Sequence, residues 1–137
     1  MYRFYTVLPV VLALIEKDRR VLLGKRARRP YHYKWDLPGG RVNPREFLED
    51  AIKREVREET DLKISNLSLD GVYHYPGNEG RPAIFLLYRV QSLHGQVKQT
   101  IELSELNWFS RKDLINLDLT PWSRHFLIEN VKNPESH

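Results

Sequence analysis

Glu55, Glu58 and Glu59 occupy positions i, i+3 and i+4 of a stretch rich in helix-favouring residues, and Arg54 immediately precedes them. At 100° per residue the three carboxylates fall on the arc begun by Leu48, Ala51 and Ile52, so they prolong a core-facing stripe. Glutamates on a helix ordinarily sit on a solvated face and pair with Lys or Arg four residues away. Here three like charges crowd the last turn, where unpaired backbone carbonyls already present negative potential. A compensating cation is therefore expected. An all-oxygen donor set without His or Cys suits a hard divalent ion, Mg²⁺ or alternatively Mn²⁺, which commonly keeps waters and takes phosphate oxygens as further ligands.

The helix that positions these acids is expected to begin near Pro44, with Asn43 as N-cap and Glu46 three residues beyond it, and to run to Glu59 or Thr60. Just upstream, Gly39 and Gly40 allow positive φ or close approach of the backbone to another group, in a segment that ends the short strand Trp35–Leu37. The run Phe4 to Ile15 reads as a buried strand. Val21 to Arg26 is expected to pair with it as a hairpin, in a sheet covered on both faces. Residues Ala27 to Lys34 are basic, aromatic and interrupted by Pro30, hence a loop. Leu67–Tyr75 and Ala83–Val90 read as strands joined by the turn-rich segment Pro76 to Pro82, followed by a strand at Leu106–Phe109. Ser110 is expected to cap a short helix to Asn116, and Pro121 precedes a last helix from Trp122 to Val131. Irregular alternation of this kind indicates an α/β or α+β fold, with residues 1–137 as one domain.

The 137 residues hold 41% hydrophobic side chains and no cysteine, which excludes disulfides, thiol nucleophiles and thiolate metal sites. That usage fits a reducing, cytoplasmic compartment, and the apolar run Val7–Ile15 is too short to span a bilayer. The net charge of +4 is uneven. Residues 1–45 hold eleven Lys or Arg against three acids, residues 46–62 hold seven acids against three bases, and the remainder balances eight against eight. A basic first third facing an acidic helix suggests an anionic partner. His32, His74, His94 and His125 show no ligand spacing and His137 is terminal, so none is assigned a role.

Gly40, five residues, Glu46, seven residues, then Arg54-Glu55-Val56-Arg57-Glu58-Glu59-Thr60-Asp61-Leu62 resembles the Nudix box, Gly-x5-Glu-x7-Arg-Glu-U-x-Glu-Glu-x-Gly-U with U aliphatic. One position departs: Asp61 replaces the second glycine, at a helix end where Asp tolerates the left-handed conformation at modest cost. The resemblance extends more loosely to Trp35–Gly39 and to Glu105–Phe109. It implies an α/β/α sandwich around a mixed sheet, and hydrolysis of a nucleoside diphosphate linked to another group.

On the matched positions, the resemblance implies that Glu55, Glu58, Glu59 and the Gly40 carbonyl hold the divalent ions, with Glu46 as an outer ligand and Arg54 orienting the acids. Glu58 is the first choice of general base, with Glu102 and Glu105 as alternatives. Leu37, Tyr75, Phe85, Trp122 and Ser123 fall where similar proteins line a base pocket, and Arg26, Arg28, Arg29, Lys34 and Arg41 are candidates to meet phosphates. The short chain and the run Trp35-Asp36-Leu37-Pro38-Gly39-Gly40 resemble the MutT-like nucleoside triphosphate pyrophosphohydrolases. Hydrolysis of ADP-ribose or of dinucleoside polyphosphates is the alternative; Pro76, fourteen residues past the box, is close to a proline that marks ADP-ribose hydrolases but departs from its usual spacing. An RNA 5′ end is a further anionic substrate that phosphate contacts alone could hold, and a non-catalytic nucleotide sensor is the remaining reading. The sequence is compatible with a monomer or a homodimer.

Overall fold

The computed structural model describes residues 6–77, 82–98 and 103–130 of the chain. The elements are β1 (Leu8–Leu14), β2 (Glu16–Lys17), β3 (Arg20–Arg26), β4 (Trp35–Asp36), β5 (Gly39–Arg41), α1 (Leu48–Thr60), β6 (Lys63–Tyr75), β7 (Ala83–His94) and β8 (Leu103–Ser110). A 3₁₀ turn, Arg111–Asn116, follows, and then α2 (Pro121–Arg124), which continues as a π-helical turn through Glu129. Among the described residues, no helix is long and apolar enough to cross a membrane.

The fold is a mixed α+β arrangement of two four-stranded sheets. In the first, the order is β5-β1-β7-β6, with β1 and β7 parallel and the other pairs antiparallel. In the second, β3 lies between β2 and β4 and also pairs with β8. The continuous apolar sequence of β1 is explained by burial on both faces. Leu12 and Leu14 enter a core with Phe85, Leu114, Trp122 and Phe126, while Val11, Ala13 and Ile15 enter another with Ala51, Ile52 and Val56 of α1. Ile52 and Val56 are fully buried, and each contributes roughly 1.5–3 kcal/mol to holding the helix on the sheet.

Three expectations are corrected. β1 does not form a hairpin with β3: it pairs with β5 and β7, and β3 belongs to the other sheet, because a central strand hidden on both faces needs hydrogen-bonding partners on both edges. Gly39 and Gly40 do not simply end the preceding strand, since they form β5, opposite Leu12 and Val11 of β1. Finally, α1 starts at Leu48 rather than near Pro44. Arg45 adopts φ of 67°, outside the helical region, so the expected cap at Asn43 instead closes an isolated turn, with the Asn43 N–H donating to Glu46 Oε1 at 3.0 Å. Leu48, expected on the apolar arc, is 37% exposed, and Val56 takes its place in the core. Residues 78–81, within the expected turn after Pro76, lie outside the described residues.

Asp61 ends α1 with φ of 66° and ψ of 11°, its N–H bonded to the Arg57 carbonyl. The left-handed cap therefore forms without glycine. The Arg57 hydrogen bond is the main reason that the Asp61 carboxyl lies below its ordinary range, with Lys98 also contributing.

Candidate active site

Close packing of β5 against α1 builds the acid end of the site. A Cβ on Gly40 would fall 2.4 Å from the Glu55 carboxylate, so only glycine lets the strand lie directly against that group. Gly39, at φ of 155°, has no room either: a Cβ there would stand 1.9 Å from the Val11 carbonyl oxygen. The Gly39 N–H donates to Glu59 Oε1 at 2.7 Å, which fixes a carboxylate that is only 7% exposed. Glu55 is largely covered, with its side chain 13% exposed, whereas the Glu58 side chain is 45% exposed.

Arg54 ties these acids together. Its Nε and Nη2 donate to the two oxygens of Glu46 at 2.8 and 3.0 Å, and Nη2 also donates to the Arg41 carbonyl at 3.0 Å. Its Nη1 donates to Glu55 at 2.9 Å and reaches Glu58 at 3.3 Å. The paired bonds from Arg54 hold the Glu46 carboxyl down at about 2, helped by the Asn43 N–H. In turn, Glu46 and then Glu55 raise the guanidinium above its already high range, so it stays charged. Arg54 thus places one positive charge among the acids. Among the described residues, no three acidic or imidazole groups form a ready-made metal cage.

A cavity of about 230 Å³ opens beside β5. Gly39, Gly40 and Arg41 of β5 line it on one side of β1 and Phe85 of β7 on the other, with Arg26, Tyr31, Asp36, Tyr75 and Trp122 among the remaining lining residues. Drug-sized pockets usually run to 300–1,000 Å³, so this volume suits one ring system with the rest of a ligand reaching outward. The Phe85 and Trp122 rings are stacked at 4.4 Å, and Tyr31 and Tyr75 each meet Trp122 edge-on, at 5.3 and 5.7 Å. The Tyr31 and Tyr75 hydroxyls are hydrogen-bonded to each other.

Asp36 organises this aromatic wall. Its Oδ1 accepts from Thr120 Oγ1 at 3.0 Å, Trp122 Nε1 at 2.8 Å and Ser123 Oγ at 2.7 Å, and its Oδ2 accepts from Arg26 Nη1 at 3.1 Å. At 8% exposed, the carboxylate is buried but fully provided with donors. Thr120 also caps α2, which places Trp122 and Ser123 against Asp36.

The predicted residues divide accordingly. Arg26, Gly40, Arg41, Tyr75, Phe85 and Trp122 line the cavity, Glu55 and Glu59 stand behind Gly40 and Gly39, and Glu58 joins them through Arg54. Leu37 and Ser123 do not line it: both are buried, and the Ser123 hydroxyl accepts the Leu37 N–H while donating to Asp36, so these two assemble the wall from behind. Arg28 and Lys34 are absent from the lining, and Lys34 pairs with Asp118 at 2.7 Å. Arg29 lines a neighbouring surface depression with His32. Glu105, on β8, pairs with Lys25 at 3.6 Å, and neither residue reaches the cavity lining. Glu102 lies outside the described residues.

Sequence reasoning missed Asp36, Thr120 and Tyr31. A lone acid between Trp35 and Leu37 in a short apolar strand was the available signal for Asp36. Nothing in the periodicity marked Tyr31, which reaches the cavity through a loop where its own φ is 60°.

A NUDIX domain model matches residues 6–129, and the chain belongs to the Nudix hydrolases, enzymes that split pyrophosphate linkages in nucleotide substrates and generally use divalent metal ions. It is 35% identical over 118 residues to the ADP-ribose pyrophosphatase of Methanocaldococcus jannaschii, covering 85% of this chain and 70% of that protein. It is 30% identical over 130 residues to the nucleoside triphosphatase NudI of Escherichia coli, covering 86% and 92%. Among solved structures, it superposes on a MutT NUDIX hydrolase from Burkholderia pseudomallei with a TM-score of 0.85 at 29% identity, over 93% of this chain and 99% of that one.

Proposed function

We propose that the chain, acting as one domain, is a Mg²⁺-dependent pyrophosphohydrolase that converts a nucleoside or deoxynucleoside triphosphate to its monophosphate and pyrophosphate. The observation that carries this reading is the seating of Gly39 and Gly40 between two carboxylates and an aromatic cavity, which brings an acid cluster and a ring-binding site to one strand.

Glu55, Glu58 and Glu59, with the Gly40 carbonyl, are the groups that hold divalent ions, which when bound supply positive charge against the phosphates. The donor set fits, being all oxygen and partly desolvated; Mn²⁺ satisfies the same chemistry. Arg54 keeps its two-bond grip on Glu46 and yields its longer contact with Glu58, so the guanidinium orients the cluster while leaving carboxylate oxygens available. Glu46 thereby acts as an outer member of the set. Glu58, the most solvent-accessible of the three acids, is the general base. It takes a proton from the attacking water as the new oxygen–phosphorus bond forms and the bond to the bridging oxygen breaks, releasing pyrophosphate. Arg41, at the mouth, meets the departing phosphates. Glu105 and Glu102 are the alternative bases.

A second reading is favoured by the Methanocaldococcus relative, named as an ADP-ribose pyrophosphatase: hydrolysis of ADP-ribose to two monophosphates. Purified protein with Mg²⁺ is tested against nucleoside triphosphates, ADP-ribose, dinucleoside polyphosphates and triphosphorylated RNA, with products resolved by chromatography. Monophosphate plus pyrophosphate is expected, with kcat falling about 10²–10⁴-fold in Glu58→Gln. No turnover on any substrate, or turnover unchanged in both Glu58→Gln and Glu59→Gln, overturns the assignment.

A further inference from the structure

Among the described residues, Arg26 is the guanidinium that lines the cavity beside Trp122, and its surroundings differ from those of a phosphate-binding arginine. Nε donates to the Pro30 carbonyl at 2.8 Å and Nη1 to Asp36 at 3.1 Å, so the group is pinned at two points and its charge is balanced by a buried carboxylate. It lies 6.0 Å from the centre of the Trp122 ring. Among the described residues these two bonds leave three of the five N–H groups, all on the terminal nitrogens Nη1 and Nη2. Arg41, by contrast, is exposed beside Gly40, and its side chain has no ion pair among the described residues. A cation free to meet phosphate and a neutralised one therefore line the same cavity.

A fixed pair of adjacent N–H donors beside an aromatic wall matches a ring edge carrying two adjacent acceptors, the complementarity by which arginine reads O6 and N7 of guanine. Guanine and hypoxanthine have that edge, and cytosine has an equivalent one in O2 and N3. In adenine each ring nitrogen on the open edges is flanked by the amino group or by carbon. In uracil and thymine a ring N–H or carbon separates the oxygens. Resting on the reading of the chain as a nucleotide hydrolase, we propose that Arg26 is a specificity residue that selects bases with two adjacent hydrogen-bond acceptors over adenine and uracil. Asp36 is its positioning residue, since it fixes both the guanidinium and the Trp122 ring.

The experiment measures kcat/KM for GTP, ITP, CTP, ATP and UTP on the wild type and on Arg26→Lys, which keeps a positive charge and loses the fork. In parallel, the corresponding monophosphates are titrated calorimetrically without added metal. Good paired contacts discriminate by about 1–3 kcal/mol, so GTP, ITP or CTP is expected to exceed ATP and UTP by roughly 5- to 150-fold. ITP beside CTP tells which edge is read. In Arg26→Lys the ratio of the preferred triphosphate to ATP is expected to shrink to about twofold. A flat wild-type panel, a preference for ATP, or an equal loss across all bases in Arg26→Lys overturns the proposal, the last by placing Arg26 on the phosphates. The wild-type panel decides even if the variant does not fold. Ordered monophosphate binding without any triphosphate turnover would refute the hydrolytic reading alone, and turnover without base order would refute this one alone.

Discussion

At the acid end of the cleft, Arg54 gathers Glu46, Glu55, Glu58 and the Arg41 carbonyl, none more than 13 residues away in the chain. At the aromatic end, Asp36 gathers Arg26, Thr120, Trp122 and Ser123 from as far as 87 residues away. One centre is a cation among partly exposed acids, and the other is a buried anion among donors. A partly exposed cluster tolerates exchange of partners, because water stands in for a lost contact. A buried carboxylate does not, because every donor left behind remains desolvated.

That contrast predicts unequal costs. Asp36→Ala strands the Trp122 N–H, two hydroxyls and the Arg26 charge at once, and is expected to destabilise the fold by about 3–5 kcal/mol, read from urea unfolding. A loss below about 1 kcal/mol would show that the aromatic end does not depend on its carboxylate. Next in size, the two glycines should separate folding from chemistry. Gly39→Ala drives a Cβ into backbone at Val11 and should cost about 3 kcal/mol, lowering Tm by roughly 10 °C. Gly40→Ala meets a side chain that is able to turn aside, so Tm should fall by only a few degrees while activity drops at least about tenfold through displacement of Glu55. Equal melting points for the two variants would erase the distinction.

A smaller effect is expected from pH. The Glu46 carboxyl, ordinarily near 4.5, is held at about 2 chiefly by its hydrogen bonds from Arg54. Its contribution is therefore complete above pH 4.5 and is lost as pH falls toward 2. The melting difference between wild type and Glu46→Gln should be constant above pH 4.5 and vanish across that window; a difference that persists to pH 2 would mean that the ionised carboxylate is not what Arg54 holds. The smallest change is Asp61→Gly, which relieves a left-handed residue but removes exposed pairing to Arg57 and Lys98. The two nearly cancel, so unfolding should shift by less than about 1 kcal/mol.

The acid end was legible in the sequence because a helix converts spacing into a face: Glu55 and Glu59, four residues apart, had to lie together, whereas the strand that carries Gly40 against them was read as a strand end. The departure at Asp61 was legible for the same reason, since a helix end makes a local conformational demand. Helix initiation was misread because the cap at Asn43 was judged from residue types, while Arg45 leaves helical geometry and defers the start to Leu48. The false hairpin of β1 with β3 arose because an apolar strand shows that it is central without naming its neighbours.

The sequence by itself determined the helix face, the glycine-to-acid spacing and the doubly buried strand, all consequences of the local periodicity of the backbone. Tertiary structure alone decided that Arg26 would be neutralised by Asp36, that Ser123 would bond to Asp36 and Leu37, and that Tyr31 would enter the cavity. Those outcomes depend on which distant segments share a buried volume. Desolvation then forces every donor and acceptor inside that volume to find its partner there, whatever the distance along the chain.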